Sequence, residues 1–456
     1  MTVIAADIDS GGAAPGTVAA RRGLVTRLAL AAVALTIAAS GIVFTEPAPV
    51  DALTVGLIVL LPTIGLVAFN PGILAFGALW LVAGAGAILA ASFSLDLRAT
   101  ATHVAVTLYL YAACLIFAAF VARSPRAHTQ LILKAWTFAA FLACGAAVLG
   151  YFGLIPGGYE VFTHNDRASG TFKDPNVFGP FLVVPLLYVL NSALERSLGK
   201  MLLPLAGAAF LALGVFLSFS RGAWINLVVA LAIYGYLLLV TTRQARVRLK
   251  FIGLLAAGGI LAAGGVIAAL SSDQVADLLS QRASFEQSYD TGTEGRFGGQ
   301  EKAVGLIVEH PLGIGAKEFS ARHHPEEVHN VYLTLLLSAG WLGGGIYLIL
   351  VALTLMLGFR FTLKATDTRM LFLVVFAGFA ATAFEGVIID SDHWRHFYLM
   401  MAIIWGVMTA SPAPQRAPVI ERRVPRLLRP LPRAHLPALD ARTSSDRRHA
   451  RLDLSR

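Results

Sequence analysis

Twelve apolar runs dominate this chain, and each is close to the ~20 residues a helix needs to cross a bilayer core. They fall near 28–44, 52–69, 71–91, 101–122, 131–152, 177–194, 201–219, 222–240, 251–270, 331–358, 369–389 and 394–410. Such a chain is expected to be an all-α, polytopic membrane protein with about twelve transmembrane helices. Composition agrees. Hydrophobic residues make up 57% and charged residues 14%, with a mean hydropathy of +0.71, whereas a soluble domain carries roughly 25% charged residues. The tenth run is too long for one straight crossing. Gly340 and Gly343-Gly344-Gly345 mark where a short surface helix would feed a true span.

The charges between the runs orient them. With the N-terminus inside, the inner loops hold Arg123 and Arg126, Arg196 and Lys200, Arg243 to Lys250, and Arg360, Lys364 and Arg369. The outer loops hold Glu46 and Asp51, Asp96 with Arg98, and Asp390 and Asp392. Cations gather on the cytoplasmic side of bacterial membrane proteins, so this order puts both termini in the cytoplasm. The expected layout is a cytoplasmic segment 1–27, spans one to nine over 28–270, a large outer-face loop 271–330, spans ten to twelve over 331–410, and a tail 411–456. Arg21, Arg22 and Arg27 precede the first run, which lacks a small-residue cleavage site and reads as a retained span. The tail mixes Pro412, Pro414 and Pro418 with many arginines and is expected to be disordered. Eleven of the 36 Lys and Arg residues lie there. The net charge of +9 is therefore a topology signal and a match to anionic lipid, not a nucleic-acid footprint. Cys114 and Cys144 both sit inside apolar runs, which argues against a disulfide framework or a cysteine-based zinc site.

Three outer segments hold the unusual residues. The connector Asn165–Asn176 carries Arg167 and Lys173, cations on the wrong side for the positive-inside rule, and so points to an anionic ligand. In Ser218-Phe219-Ser220-Arg221-Gly222 the turn is short enough to hold Arg221 at the membrane boundary. A charge there is costly unless it snorkels or grips a phosphate with its two-pronged guanidinium. The long loop carries Glu294-Gly295-Arg296, then Phe297, Val304, Ile307 and Val308 at near-helical spacing, then His323-His324-Pro325-Glu326-Glu327-Val328-His329-Asn330. A loop of this length is functional or disordered, and its apolar spacing argues for partial order. Pro325 after His324 breaks the H-E-x-x-H pattern, so no zinc site is expected there. Asp390-Ser391-Asp392 has a D-x-D form, which leaves open whether these acids bind an ion.

Taken in order, these pieces resemble the bacterial O-antigen ligase and polymerase superfamily of the Wzy_C type. The pieces are Ser169-Gly170-Thr171-Phe172 with Pro175-Asn176, Ser218 to Gly222, Gly295-Arg296, His310-Pro311-Leu312-Gly313-Ile314-Gly315, and His329-Asn330 followed by Gly340-Trp341-Leu342-Gly343. The resemblance runs from about residue 168 to 350. It implies a GT-C-like membrane enzyme that takes a glycan from undecaprenyl diphosphate at the periplasmic face of the inner membrane. The acceptor would be lipid A–core in a ligase, or a growing polysaccharide in a polymerase. No cofactor and no metal are implied. By the same resemblance His329 is the catalytic base and Arg221 and Arg167 bind the diphosphate; Arg296 and Asn330, from the matching pieces, and Lys173, from its charge on the outer face, are the candidate supporting residues. Two departures stand out: Trp341 replaces a smaller apolar residue, and Ser338-Ala339 replaces an acid often found before the glycine.

The implied chemistry is a direct displacement with inversion at the anomeric carbon. Fixed arginines stabilise the leaving diphosphate, and a histidine takes the acceptor proton. The main rival outside enzymes is a polysaccharide transporter or flippase. Transporters show repeated halves and ionisable residues at mid-membrane. Here the polar residues gather at one face, which favours surface chemistry.

Overall fold

The computed structural model describes residues 15–269 and 295–410. Residues 1–14, the loop portion 270–294 (with Glu294) and the basic tail 411–456 lie outside the described residues.

Each of the twelve apolar windows falls on a helix. In chain order these are α1 (Pro15–Ala39), α2 (Pro49–Thr63), α3 (Pro71–Ala91), α4 (Leu97–Arg123), α5 (Pro125–Tyr151), α7 (Pro175–Glu195), α8 (Leu198–Leu217), α9 (Arg221–Thr241), α10 (Ala245–Ala269), α13 (Val331–Thr362), α14 (Arg369–Glu385) and α15 (Arg395–Thr409). Between them lie three short helices, α6 (Gly158–Phe162), α11 (Arg296–Glu309) and α12 (Glu318–Arg322), and a hairpin of β1 (Thr163–His164) and β2 (Arg167–Ala168). The protein is an all-α membrane protein, and among the described residues seven helices are long and apolar enough to cross a bilayer unaided. Proline opens α2, α3, α5 and α7, where its missing N–H costs no helix bond.

Several helices end before their hydropathy windows do. The first stops at Ala39, and Val43 forms a parallel bridge to Phe172 instead. The second stops at Thr63, because Pro62 sits in its last turn and Gly65 follows at φ +71°. The eleventh ends at Glu385 rather than 389.

The centre of the bundle is α15, which packs along α4 and also touches α3, α5, α13 and α14. Twelve of its 15 residues are buried. Aromatic rings pack around it. Trp80 stacks on Tyr111 at 4.1 Å, and Phe76 on Trp405 at 4.6 Å between centroids. Helix α3 lies against α13 backbone to backbone: a Cβ on Gly86 would come within 2.4 Å of the Gly343 nitrogen. Small residues at such crossings let helices associate in lipid, where packing rather than hydrophobicity drives them together. The perimeter is apolar and open, as at Leu203 and Val228.

The basic turns share one end of the bundle. Arg126 donates to the Asp367 carbonyl at 3.3 Å, Arg369 to the Thr241 carbonyl at 3.0 Å, and Lys250 to the Arg196 carbonyl at 2.6 Å. The connectors carrying the candidate site lie at the other end.

The expected break in the tenth run is present, at Gly340, whose φ of +68° interrupts α13. The broken helix is completed from outside. Its freed groups pair with the His310–Gly315 turn: the Trp341 N–H donates to the Pro311 carbonyl at 2.8 Å, and the Ile314 N–H to the Leu337 carbonyl at 2.8 Å. A Cβ at Gly340 would sit 2.5 Å from the Leu312 carbonyl carbon. This is what the Pro-Leu-Gly-Ile-Gly sequence does here: it is a plug for a helix break.

Candidate active site

A cavity of about 760 Å³ opens among the connectors at the end opposite the basic turns. Its walls come from the α1–α2 loop, the start of α4, the 163–177 connector, the 296 and 316–329 segments, and the 389–399 turn. Of the six residues assigned to the site from the sequence, Arg167, Lys173, Arg296 and His329 line it, and so do the D-x-D acids Asp390 and Asp392.

Arg167 is placed by the β-hairpin. Asn165 and Asp166, at φ 51° and 58°, form its two-residue turn, in which both central residues take a positive φ. Asn and Asp tolerate that conformation well. The Tyr159 hydroxyl donates to Asp166 at 2.9 Å. Arg167 then reaches across the chain: Nε donates to the Ser218 carbonyl at 2.9 Å and Nη2 to Asn176 Oδ1 at 2.7 Å. The residues from Gly170 to Phe172 anchor the connector. Phe172 is buried, Thr171 Oγ1 bonds the Gly41 carbonyl, and Gly170 at φ +55° lies where a Cβ would strike the Ala143 carbonyl at 2.5 Å. Lys173 follows, its N–H held by the Val43 carbonyl at 2.9 Å.

Arg221 is the first residue of α9, behind the capping hydroxyl of Ser220, which accepts from the Ala223 N–H at 3.3 Å. It is not among the described residues lining the cavity. It stands three residues beyond the Ser218 carbonyl that holds Arg167. The structure thus brings Arg167 and the Arg221 turn together, but only Arg167 into the described cavity wall.

His329 sits just before α13 at φ 52°, a left-handed conformation uncommon for a residue with a side chain. Its N–H donates to Asp390 Oδ2 at 3.0 Å. Its ring lies between two acids, with Nδ1 4.0 Å from Asp390 and Nε2 3.7 Å from Glu326. Burial first, and then the nearby Asp392 charge, push the Asp390 carboxyl up to about 6, against the opposing bonds from Thr334 and the His329 N–H. Asn330, expected to support the site, serves as the cap of α13: its Oδ1 accepts from the Tyr332 and Leu333 N–H groups at 3.1 and 3.3 Å.

Of the apolar positions expected to order the long loop, Ile307 is buried with Ala303 on one face of α11. Phe297, Val304 and Val308 are exposed on the other face. Ile307 packs with Ile314, Phe319, Val328 and Leu337, and buried Glu318 ties the loop down as well. Its Oε1 accepts from Ser94 Oγ at 2.5 Å, the Leu95 N–H at 2.8 Å and the Asp96 N–H at 3.1 Å, and its Oε2 meets Arg322 at 2.9 Å. Burial alone would raise that carboxyl, but these bonds and the arginine hold it below its ordinary value.

Sequence reasoning missed four groups on the cavity wall. Arg395 grips Asp51 with both prongs at 2.7 Å, and Lys317 pairs with Glu327 at 3.1 Å. The test that found Arg167 and Lys173, cations at the wrong end, would have found these too. His103 and His393 flank Asp392. Nothing in the local sequence joins His103 to a residue nearly three hundred positions later. Ser338, where the expected acid is missing, lines the cavity, and acids reach it from Asp390 and Asp392. Trp341, the other departure, anchors the end of α11 through Nε1 to the Ile307 carbonyl at 2.9 Å.

Residues 206–348 match the sequence profile of the family described as O-Antigen ligase (Wzy_C). The matched stretch includes Arg221, Arg296, His329 and Asn330; Arg167 and Lys173 precede it. No curated protein matches the chain.

Proposed function

We propose that this chain, whose residues 206–348 match the O-antigen ligase family, is a ligase-type glycosyltransferase of the bacterial inner membrane. Its cavity faces the periplasm, both termini are cytoplasmic, and twelve spans form a GT-C-like bundle. The donor is a glycan on undecaprenyl diphosphate, and the acceptor is a hydroxyl of lipid A–core. The observation that carries this reading is a single cavity that presents His329 between two carboxylates together with Arg167, Lys173 and Arg296.

The acceptor oxygen attacks the anomeric carbon as the bond from that carbon to the diphosphate oxygen breaks. The leaving diphosphate takes the electron pair, and the acceptor proton passes to the His329 ring. Arg167 and Arg221 hold the diphosphate from adjoining turns, with Lys173 and Arg296 adding positive charge. Donors fixed in advance stabilise developing charge without reorganising. Asp390 holds the His329 backbone and offsets the charge of the imidazolium. Attack from the side opposite the diphosphate inverts the anomeric centre. No step calls for an ion.

The test is a deletion strain complemented with the wild-type gene or with His329→Ala, followed by surface-glycan gels and analysis of lipid-linked sugars. Long polymer stranded on the carrier beside bare lipid A–core is the expected result for the deletion and for His329→Ala. Single repeats capping the core would make the protein a polymerase. An unchanged lipopolysaccharide ladder would remove both assignments.

A further inference from the structure

The wall of the cavity holds a cluster that the transfer reaction does not use. His103, on the second turn of α4, and His393, on the turn before α15, both direct Nε2 at Asp392. The distances to Asp392 Oδ2 are 3.4 and 3.8 Å. All three ligand atoms lie within 4.8 Å of one another, and the two rings lie 4.1 Å apart at 30°. We propose that His103, Asp392 and His393 form a binding site for one divalent transition-metal ion of the zinc class.

Ligand chemistry and spacing both support this. Neutral imidazoles and a carboxylate are the donors such ions take, at bonds of ~2.0–2.2 Å, which places tetrahedral ligand atoms roughly 3.3 Å apart. The two imidazole–carboxylate separations, 3.4 and 3.8 Å, are near that value, and the imidazole nitrogens, within 4.8 Å of each other, would draw together on an ion. Three protein donors leave the fourth position to the cavity, which all three residues line. The backbone behind that carboxylate is pinned: the Tyr398 hydroxyl donates to the Asp392 carbonyl at 2.6 Å. His393 Nε2 also lies 3.0 Å from Thr107 Oγ1, and an ion would displace that contact.

The site would clamp α4 to the turn between α14 and α15. That turn also carries Asp390, whose carboxylate holds the His329 N–H. An ion here would therefore brace the segment behind His329 without entering the transfer itself. Calcium or magnesium would fit poorly, since both seek sets of six or more oxygens or retained waters.

A carboxylate bridging two imidazoles by hydrogen bonds alone would give similar spacing, and the experiment separates the two. The full chain, purified in detergent without a polyhistidine tag, is stripped with a chelator and titrated with zinc alone. The expected result is one tightly held zinc per chain in the wild type, at least tenfold weaker binding in His103→Gln and in Asp392→Asn, and a zinc-dependent rise in Tm only in the wild type. X-ray absorption of the zinc-loaded wild type should show two imidazoles with oxygen donors. That reading does not depend on whether the variants fold. Absence of stoichiometric zinc in the wild type, unchanged binding in both variants, or a ligand shell without two imidazoles would overturn the proposal. Because the readout is binding, failure here leaves the glycosyl-transfer reading untouched, and failure of that reading leaves this one standing.

Discussion

His329 is held in a left-handed backbone conformation by a carboxylate from another turn. Such a conformation costs ~1–3 kcal/mol and persists only where its surroundings impose it. Removing the ring and removing the carboxylate should therefore have different effects. We expect His329→Ala to lower transfer of lipid-linked glycan in reconstituted membranes by about 10²–10⁴-fold, the usual worth of a general base. Asp390→Asn should cost less, roughly ten- to a hundredfold, in line with the ~1.5–3 kcal/mol of a hydrogen bond to a charged group. Equal losses in both would remove the division of labour. His329 was legible in the sequence only through the resemblance. Asp390 was visible as half of a D-x-D pair, but its role was not, because its partner lies 61 positions away. Arg167 and Lys173 were legible on physical grounds, as cations at the wrong end. Asn330 came from the same resemblance, and its Oδ1 caps α13 beside His329.

At the scale of elements, the break in α13 and the turn that fills it form one unit. Gly340→Ala places a Cβ against the Leu312 carbonyl and forces a side chain into φ +68°. We expect a loss of at least about 2 kcal/mol, seen as a lower Tm in detergent or as poor membrane yield. Gly345→Ala, whose Cβ would meet nothing within 4 Å, is the control and should be near neutral. A second expectation concerns Glu318, which fastens the 316–322 segment to the turn before α4. Its carboxyl lies below its ordinary value in the folded protein. The stability it contributes is therefore complete at neutral pH and is lost as pH falls through that lowered value. Glu318→Gln should lower Tm at neutral pH and flatten its decline on acidification; a parallel decline would show that other carboxylates set the acid limit. The glycines at the break were readable in the sequence, since a run of 28 residues needs an interruption. Glu318 was not. It is one acid in a long loop, and its importance comes from backbone groups more than two hundred residues earlier.

For the whole molecule, the apolar runs located the helices, while helix ends were set by local chemistry that hydropathy averages away, such as Pro62 and Gly65. The proposed sidedness rests on the separation of basic turns from the cavity. With buried Cys114 and Cys144 replaced, a single Glu326→Cys should react with a membrane-impermeant maleimide added to spheroplasts. Lys364→Cys should react only after lysis. The reverse pattern would turn the molecule over and place the cavity in the cytoplasm, where a lipid A–core acceptor exposed to the periplasm could not reach it.

The burial of α15 has a consequence for biosynthesis. It is the last of the described helices to leave the ribosome, yet α3, α4, α5, α13 and α14 all lean on it. Earlier helices enter the bilayer with their central partner not yet made. Asp51 must wait through 344 residues of synthesis for Arg395, and Asn70 through 339 for Thr409. The nascent bundle must therefore keep an open slot, shielded by lipid or by an insertion chaperone, and its final arrangement is reached only once translation has passed residue 409.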